Sequence, residues 1–149
     1  MSEAEQPTTQ QPPAIVAIAE SADRLVTTQH SIQVNGQELR YTVTTGTLVL
    51  KDEVEEEKKE GGGTPNSEKA KAAVFFIAYT RDDVADVATR PVTFSFNGGP
   101  GSSSVWLHLG VLGPRRVVLD PDGRPLPPPY RLTDNEYSLL DCSDLVFLD

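Results

Sequence analysis

Three glycines lie within five residues at Asn97-Gly98-Gly99-Pro100-Gly101, and Ser102-Ser103-Ser104 follow directly. With no Cβ, glycine lets the backbone turn sharply and brings its amides close to a ligand. The serines are expected to cap a short helix through Val105-Trp106-Leu107-His108-Leu109, since a hydroxyl accepts from the unpaired amides of a first turn. Amides at a helix start attract negative charge. Such a loop could hold a phosphate, stabilise the oxyanion of an acyl transfer, or be a tight turn that binds nothing.

The loop needs strands to hold it. Pro91 opens an apolar run, Val92-Thr93-Phe94-Ser95-Phe96, that reads as a strand ending at the glycines. Upstream, Ile32 and Val34 alternate with polar residues, Asn35-Gly36 follows, and Leu39, Tyr41 and Val43 resume the alternation. Asn-Gly between two such runs predicts a hairpin with a type I′ turn, its second strand continuing through Leu48-Val49-Leu50. Ala73 to Tyr79 is an apolar run with aromatic and β-branched residues, read as a strand covered on both faces. Arg81 to Arg90 reads as a polar connection, and Gly113-Pro114 should end the helix. Arg116 to Leu119 reads as a short strand, Asp120 to Tyr130 as a turn-rich loop, and Leu145 to Leu148 as a last buried strand. Residues 1–28, rich in Pro, Gln, Thr and Ala, read as a flexible lead-in to a domain over 29–149. Within that domain, residues 51–70 read as a solvated acidic and Gly-rich insertion between strands.

Composition narrows the functions. With 149 residues, 13 Lys and Arg against 22 Asp and Glu, and a formal charge of −9, the chain suits a single domain and lacks the basic patch that a nucleic-acid backbone requires. No apolar stretch is long enough to span a bilayer, and the acidic, polar start lacks the basic and then apolar order of a secretory signal. A cytoplasmic location away from membranes is expected. One cysteine, Cys142, and two distant histidines, His30 and His108, give neither a disulfide framework nor a metal-ligand cluster. Cys142 is expected to be an unpaired, semi-buried thiol, and both histidines to have surface or packing roles. Trp106 and Leu109, at i and i+3, are candidates for the packed helix face. Pro127-Pro128-Pro129-Tyr130 reads as a stiff surface loop. Asp141, Asp144 and Asp149 match no calcium-loop spacing and read as carboxylates flanking a strand.

The order of motifs adds a resemblance. Phe96-Asn97-Gly98-Gly99-Pro100-Gly101-Ser102-Ser103-Ser104, then Leu112-Gly113-Pro114, then Asn135-x-x-Ser138-Leu139-Leu140-Asp141-x-Ser143-Asp144-Leu145-Val146-Phe147-Leu148-Asp149, resembles the serine carboxypeptidase family of α/β-hydrolases. The likeness covers residues 91–149. It implies an α/β fold, the N-terminal and incomplete part of an α/β-hydrolase, whose mixed sheet begins with an antiparallel hairpin. It implies that the Gly99 backbone N–H is one oxyanion donor, that Asn97 and Gly98 bind substrate, and that Pro100 and Gly101 shape the loop. An amide NH₂ such as that of Asn97 can donate to a substrate carboxylate without burying a full charge. The implied partner is a peptide with a free C-terminus, with no cofactor and no metal. Ser95 and Ser102 stand where many members have Trp and Cys, and Val111 where an acidic residue often precedes Leu-Gly-Pro. A missing cysteine agrees with a disulfide-poor, bacterial-type member.

A triad requires a Gly-x-Ser-x-Gly elbow, then aspartate, then histidine, and no such elbow occurs in the sequence. The expectation is therefore the front part of a peptidase, stopping before its nucleophile, inactive alone and completed by the missing C-terminal part of the same enzyme. An edge and an apolar sheet face left uncovered would favour association. An esterase or acyltransferase would share the loop and be separated by its preference for ester over peptide. A non-catalytic binding module would be separated by a native stop codon after Asp149.

Overall fold

The computed structural model describes residues 24–53, 68–99 and 101–149. Residues 1–23, the centre of the acidic insertion (54–67) and Pro100 lie outside the described residues. The predicted hairpin is present: β1 (Arg24–Val34) and β2 (Gln37–Glu53) pair antiparallel from Val34↔Gln37 to Arg24↔Thr47. Asn35 and Gly36 turn the chain with φ of 51° and 76°, the pair of positive values that a type I′ turn demands. Strand β1 starts at Arg24, inside the stretch read as a flexible lead-in, because residues 24–28 gain ladder partners at 43–47 on the longer β2. Likewise β2 and β3 (Glu68–Arg81) extend into both ends of the stretch read as insertion, pairing as far as Glu53↔Glu68.

A five-stranded mixed sheet results, in the order β1, β2, β3, β7 (Asp144–Leu148), β4 (Val92–Ser95), which is compatible with a partial α/β fold. β7 is antiparallel to β3, whereas β4 is parallel to β7 and forms one edge, β1 forming the other. Paired residues share a face, so the register separates two sets. One face carries Ile32, Val34, Leu39, Tyr41, Tyr79, Leu145 and Phe147, all buried and joined by Leu140 from the short 3₁₀ turn Leu139–Asp141. The other carries Leu25, Leu48, Val92 and Phe94, all exposed. β3 is thus not covered on both faces: Phe76, on the same face as Leu48, is only half-buried, and Phe75, although on the same face as Tyr79, is exposed.

The helix after the glycine loop begins as predicted. α1 (Val105–Leu107) runs on as a π turn, His108–Leu112, closed by Gly113 N–H donating to the His108 carbonyl at 3.0 Å. The wider turn changes which residues face the sheet. Leu107 and Leu112 pack on the core, while Trp106, the expected packing residue, is 71% exposed and Leu109 is half-buried. Asn135, buried, donates through Nδ2 to the Val111 and Gly113 carbonyls (2.9 and 2.8 Å), and Ser138 Oγ donates to that of Leu112 (3.0 Å). These side chains satisfy the helix end that has no intrahelical donors. The expected strand near Arg116–Leu119 is observed as β5 (Arg115–Val117), paired with β6 (Leu132–Asp134); Leu119 makes only a bridge to Pro125. The Asp134 carboxylate accepts from Gln33 N–H (3.1 Å) and Arg115 (2.7 Å), fastening this ribbon to β1. Cys142 is exposed rather than semi-buried, its thiol donating to the Leu139 carbonyl at 3.4 Å. Among the described residues no helix is long and apolar enough to cross a membrane, and no metal-ligating cluster occurs.

Candidate functional site

β4 delivers the chain to the glycine loop at the carboxyl end of a parallel strand, and the strand stops one residue before the predicted Phe96. Gly99 and Gly101 have φ of +84° and +79°, values that L side chains rarely adopt, and a Cβ at either would meet open space. Glycine is therefore required there by backbone conformation rather than by crowding. Asn97 Nδ2 donates to Ser102 Oγ at 2.7 Å, closing the loop across its neck, and Ser102 N–H reaches the Gly99 carbonyl at 3.4 Å. Among the described residues, no acceptor takes the Gly99 N–H.

Asn97, Gly99, Gly101, Ser102 and Ser103 line an open cavity of about 770 Å³, with Phe96, Val74 and Leu148 as apolar wall and Asp149 as its acid. Gly98, grouped with the substrate-binding residues from the sequence, is exposed and is not part of that lining. The expected serine caps are only partly realised. Ser103 Oγ accepts from Val105 N–H at 3.3 Å, but the hydroxyl of Ser104, the N-cap residue, makes no cap bond. The acceptor for the Ser104 N–H is the Asp149 carboxylate, at 2.5 Å, which also takes the Ser103 hydroxyl at 3.1 Å. The Ser104 amide, above all, holds the Asp149 carboxyl below its ordinary range. Reading the sequence alone missed this contact, because Asp149 is 45 residues from Ser104 and its only local mark was the end of an apolar run.

Behind the loop, His108 packs its ring on Phe147 at 4.6 Å between centroids and meets the Tyr79 hydroxyl at 2.5 Å. Burial pushes the imidazole below its ordinary range and the phenol well above its own. Between these two groups a single proton lies in the Tyr79 Oη–His108 Nε2 bond, the imidazole tautomer setting which of them donates. A packing role for His108 is what the structure shows, and His30, bonded to Thr28 at 2.9 Å on β1, is remote from the loop. Asp144, at the start of β7, forms a buried ion pair with Arg90 at 2.6 Å and accepts from Arg81 N–H at 3.1 Å. Ser95, at the foot of the loop, has a buried hydroxyl with no partner among the described residues.

Residues 50–149 match the family model of the serine carboxypeptidases. The chain belongs to the serine carboxypeptidase family. No curated protein and no solved structure matches it. In this member of the serine carboxypeptidase family the match begins at the end of β2 and takes in every residue that lines the cavity, on β3, in the glycine loop and at the end of β7. The hairpin of β1 and the first part of β2 precede it.

Proposed function

We propose that this chain supplies the oxyanion and substrate-carboxylate loop of a serine-type carboxypeptidase of α/β-hydrolase type and bacterial character. The observation that carries the reading is the Gly99 N–H, unbonded among the described residues and set on a cavity beside the Asn97 amide. In acyl transfer the carbonyl oxygen of the scissile bond gains charge, and a backbone donor already in place stabilises it without reorganisation. Asn97 keeps one Nδ2 proton after bonding Ser102 Oγ, and that proton is the donor for the terminal carboxylate of a peptide. Gly98, Pro100 and Gly101 keep the loop-shaping role suggested by the motif, and of the three it is Gly101 that also lines the cavity.

The acyl-enzyme step requires a serine with an imidazole base. Among the described residues both imidazoles bond elsewhere, to Tyr79 and Thr28, and the sequence holds no Gly-x-Ser-x-Gly. The 149-residue chain is therefore expected to bind peptide without cleaving it, in a reaction scheme with no metal or cofactor. The nucleophile belongs to a further part of the same enzyme. Titrating the ¹⁵N-labelled chain with an N-blocked dipeptide should shift the Asn97 side-chain and Gly99 backbone resonances, and the C-terminally amidated dipeptide should shift them far less. Equal response to both peptides would overturn the carboxylate role. Serine-dependent hydrolysis of the same dipeptide by the chain alone would overturn the division of labour.

A further inference from the structure

We infer that Asp149 is a positioning residue for the glycine loop, holding the Gly99 amide in register with the sheet through Ser103 and Ser104. The inference rests on the reading of Gly99 as an oxyanion donor, and it adds the group that fixes where that donor stands. Between Asn97 and Ser104 the described bonds that stay within the loop are few: the Asn97 side chain to Ser102 Oγ, and the long Ser102 N–H contact to the Gly99 carbonyl at 3.4 Å. Two glycines with positive φ leave such a loop free to swing unless its exit is held.

Asp149 provides that hold. Its backbone is locked to β3 by two bonds of 3.0 Å, Phe75 N–H to the Asp149 carbonyl and Asp149 N–H to the Phe75 carbonyl. Its side chain then spans to the loop exit, taking the Ser104 amide and the Ser103 hydroxyl together. Ser103 Oγ in turn accepts from Val105 N–H, so one carboxylate ties the loop exit and the first turn of α1 to the sheet. Bonds to an ionised acceptor are roughly twice as strong as neutral ones, which suits a single-point anchor. Among the described residues the titratable group facing it is His108, whose positive form would favour the Asp149 carboxylate but is itself disfavoured by burial.

Backbone ¹⁵N relaxation of the 149-residue chain tests this without any need for turnover. In the unaltered chain Gly99 should be rigid, with an order parameter near ~0.85, and D149A should lower it to below ~0.6 while β3 and β7 amides stay rigid. D149N retains an acceptor but no charge and should fall between the two. A Gly99 order parameter unchanged in D149A, with the Ser104 amide shifted, would overturn the inference and leave Asp149 as a cap of the first helical turn alone. A second measurement needs no substitution: as pH is lowered through the Asp149 titration, the Ser104 and Gly99 amides should shift with one midpoint, and a Ser104 shift without Gly99 would also overturn it. Failure of the peptide titration described above would remove the carboxylate role of Asn97 while leaving this coupling intact, so the two results are separable.

Discussion

The two faces of the five-stranded sheet use similar side chains to different ends. Beneath α1, its π turn and the 3₁₀ turn, Tyr41, Tyr79, Leu145 and Phe147 are sealed, and the aromatic rings of Tyr79, His108 and Phe147 touch edge to face or tilted. On the opposite face Phe94 is 62% exposed, with Val92, Leu48 and Leu25 similarly open. Apolar composition therefore does not by itself make a core here; the covered face is a core because a helix and a turn reach it. The glycine loop belongs to both regions, since it leaves β4 at the edge of the open face and ends in the helix that covers the closed one.

Substitutions on the closed face should give the largest effects. Phe147→Ala is expected to cost ~3–5 kcal/mol, because the cavity left behind lies under His108 and Tyr79 and cannot collapse. Arg90→Ala should approach the same magnitude, about 3–5 kcal/mol. It strands the Asp144 carboxylate, whose side chain is 10% exposed against 8% for Arg90, and removes the bond from Arg90 to the Leu140 carbonyl at 2.6 Å. Urea unfolding followed by tyrosine and tryptophan fluorescence measures both. A loss under ~1 kcal/mol for Phe147→Ala would mean that the closed face is no better packed than the open one.

Much of this contrast was legible in the sequence, and what was not follows from contacts over long separations. Asn35-Gly36 announced the hairpin because turn chemistry is local. The alternation at Ile32, Val34, Leu39 and Tyr41 picked the buried face for the same reason. Periodicity could not tell that Phe76 would be only half-buried on the open face, since a continuous apolar run looks the same whether one face is covered or two. The phase of the helix escaped because a π turn breaks the spacing that would have put Trp106 inside. At the candidate site, the glycine motif located the loop, whereas the Asp149 anchor joins residues 45 apart and no spacing encodes it.

The closed face also carries a pH signature. Burial lowers the His108 pKa from its ordinary 6.5, so below that value the unfolded chain binds the proton more readily and stability falls as pH drops. Burial raises the Tyr79 pKa above its ordinary 10.0, so above pH 10.0 the unfolded chain releases its proton first and stability falls as pH rises. Within this pair the contribution is greatest between those two values. Tyr79→Phe should flatten the alkaline limb and cost about 1 kcal/mol at neutral pH, because His108 Nε2 loses its hydrogen-bond partner. Melting temperatures measured across the pH range check both limbs. An alkaline limb of unchanged steepness in the variant would assign it to another group, Tyr41 being the next tyrosine raised by burial.

The smallest effect on stability should come from the open face, and there the comparison is sharpest. Phe94→Ser removes a ring that is already mostly in water, so the unfolding free energy should move by less than ~0.5 kcal/mol. Association should change much more. Val92 and Phe94 stand on β4, an edge strand paired only with β7, and they join Leu48 and Leu25 across the sheet, an apolar face that a single copy leaves in solvent. Sedimentation velocity of the unaltered chain should show concentration-dependent association, and Phe94→Ser should weaken it. A polar hydroxyl in place of the ring removes apolar area where two faces would meet, while leaving the β4–β7 ladder intact. If both proteins sediment identically as single copies while their unfolding midpoints coincide, the open face is inert, and exposure there has no energetic consequence for the isolated chain.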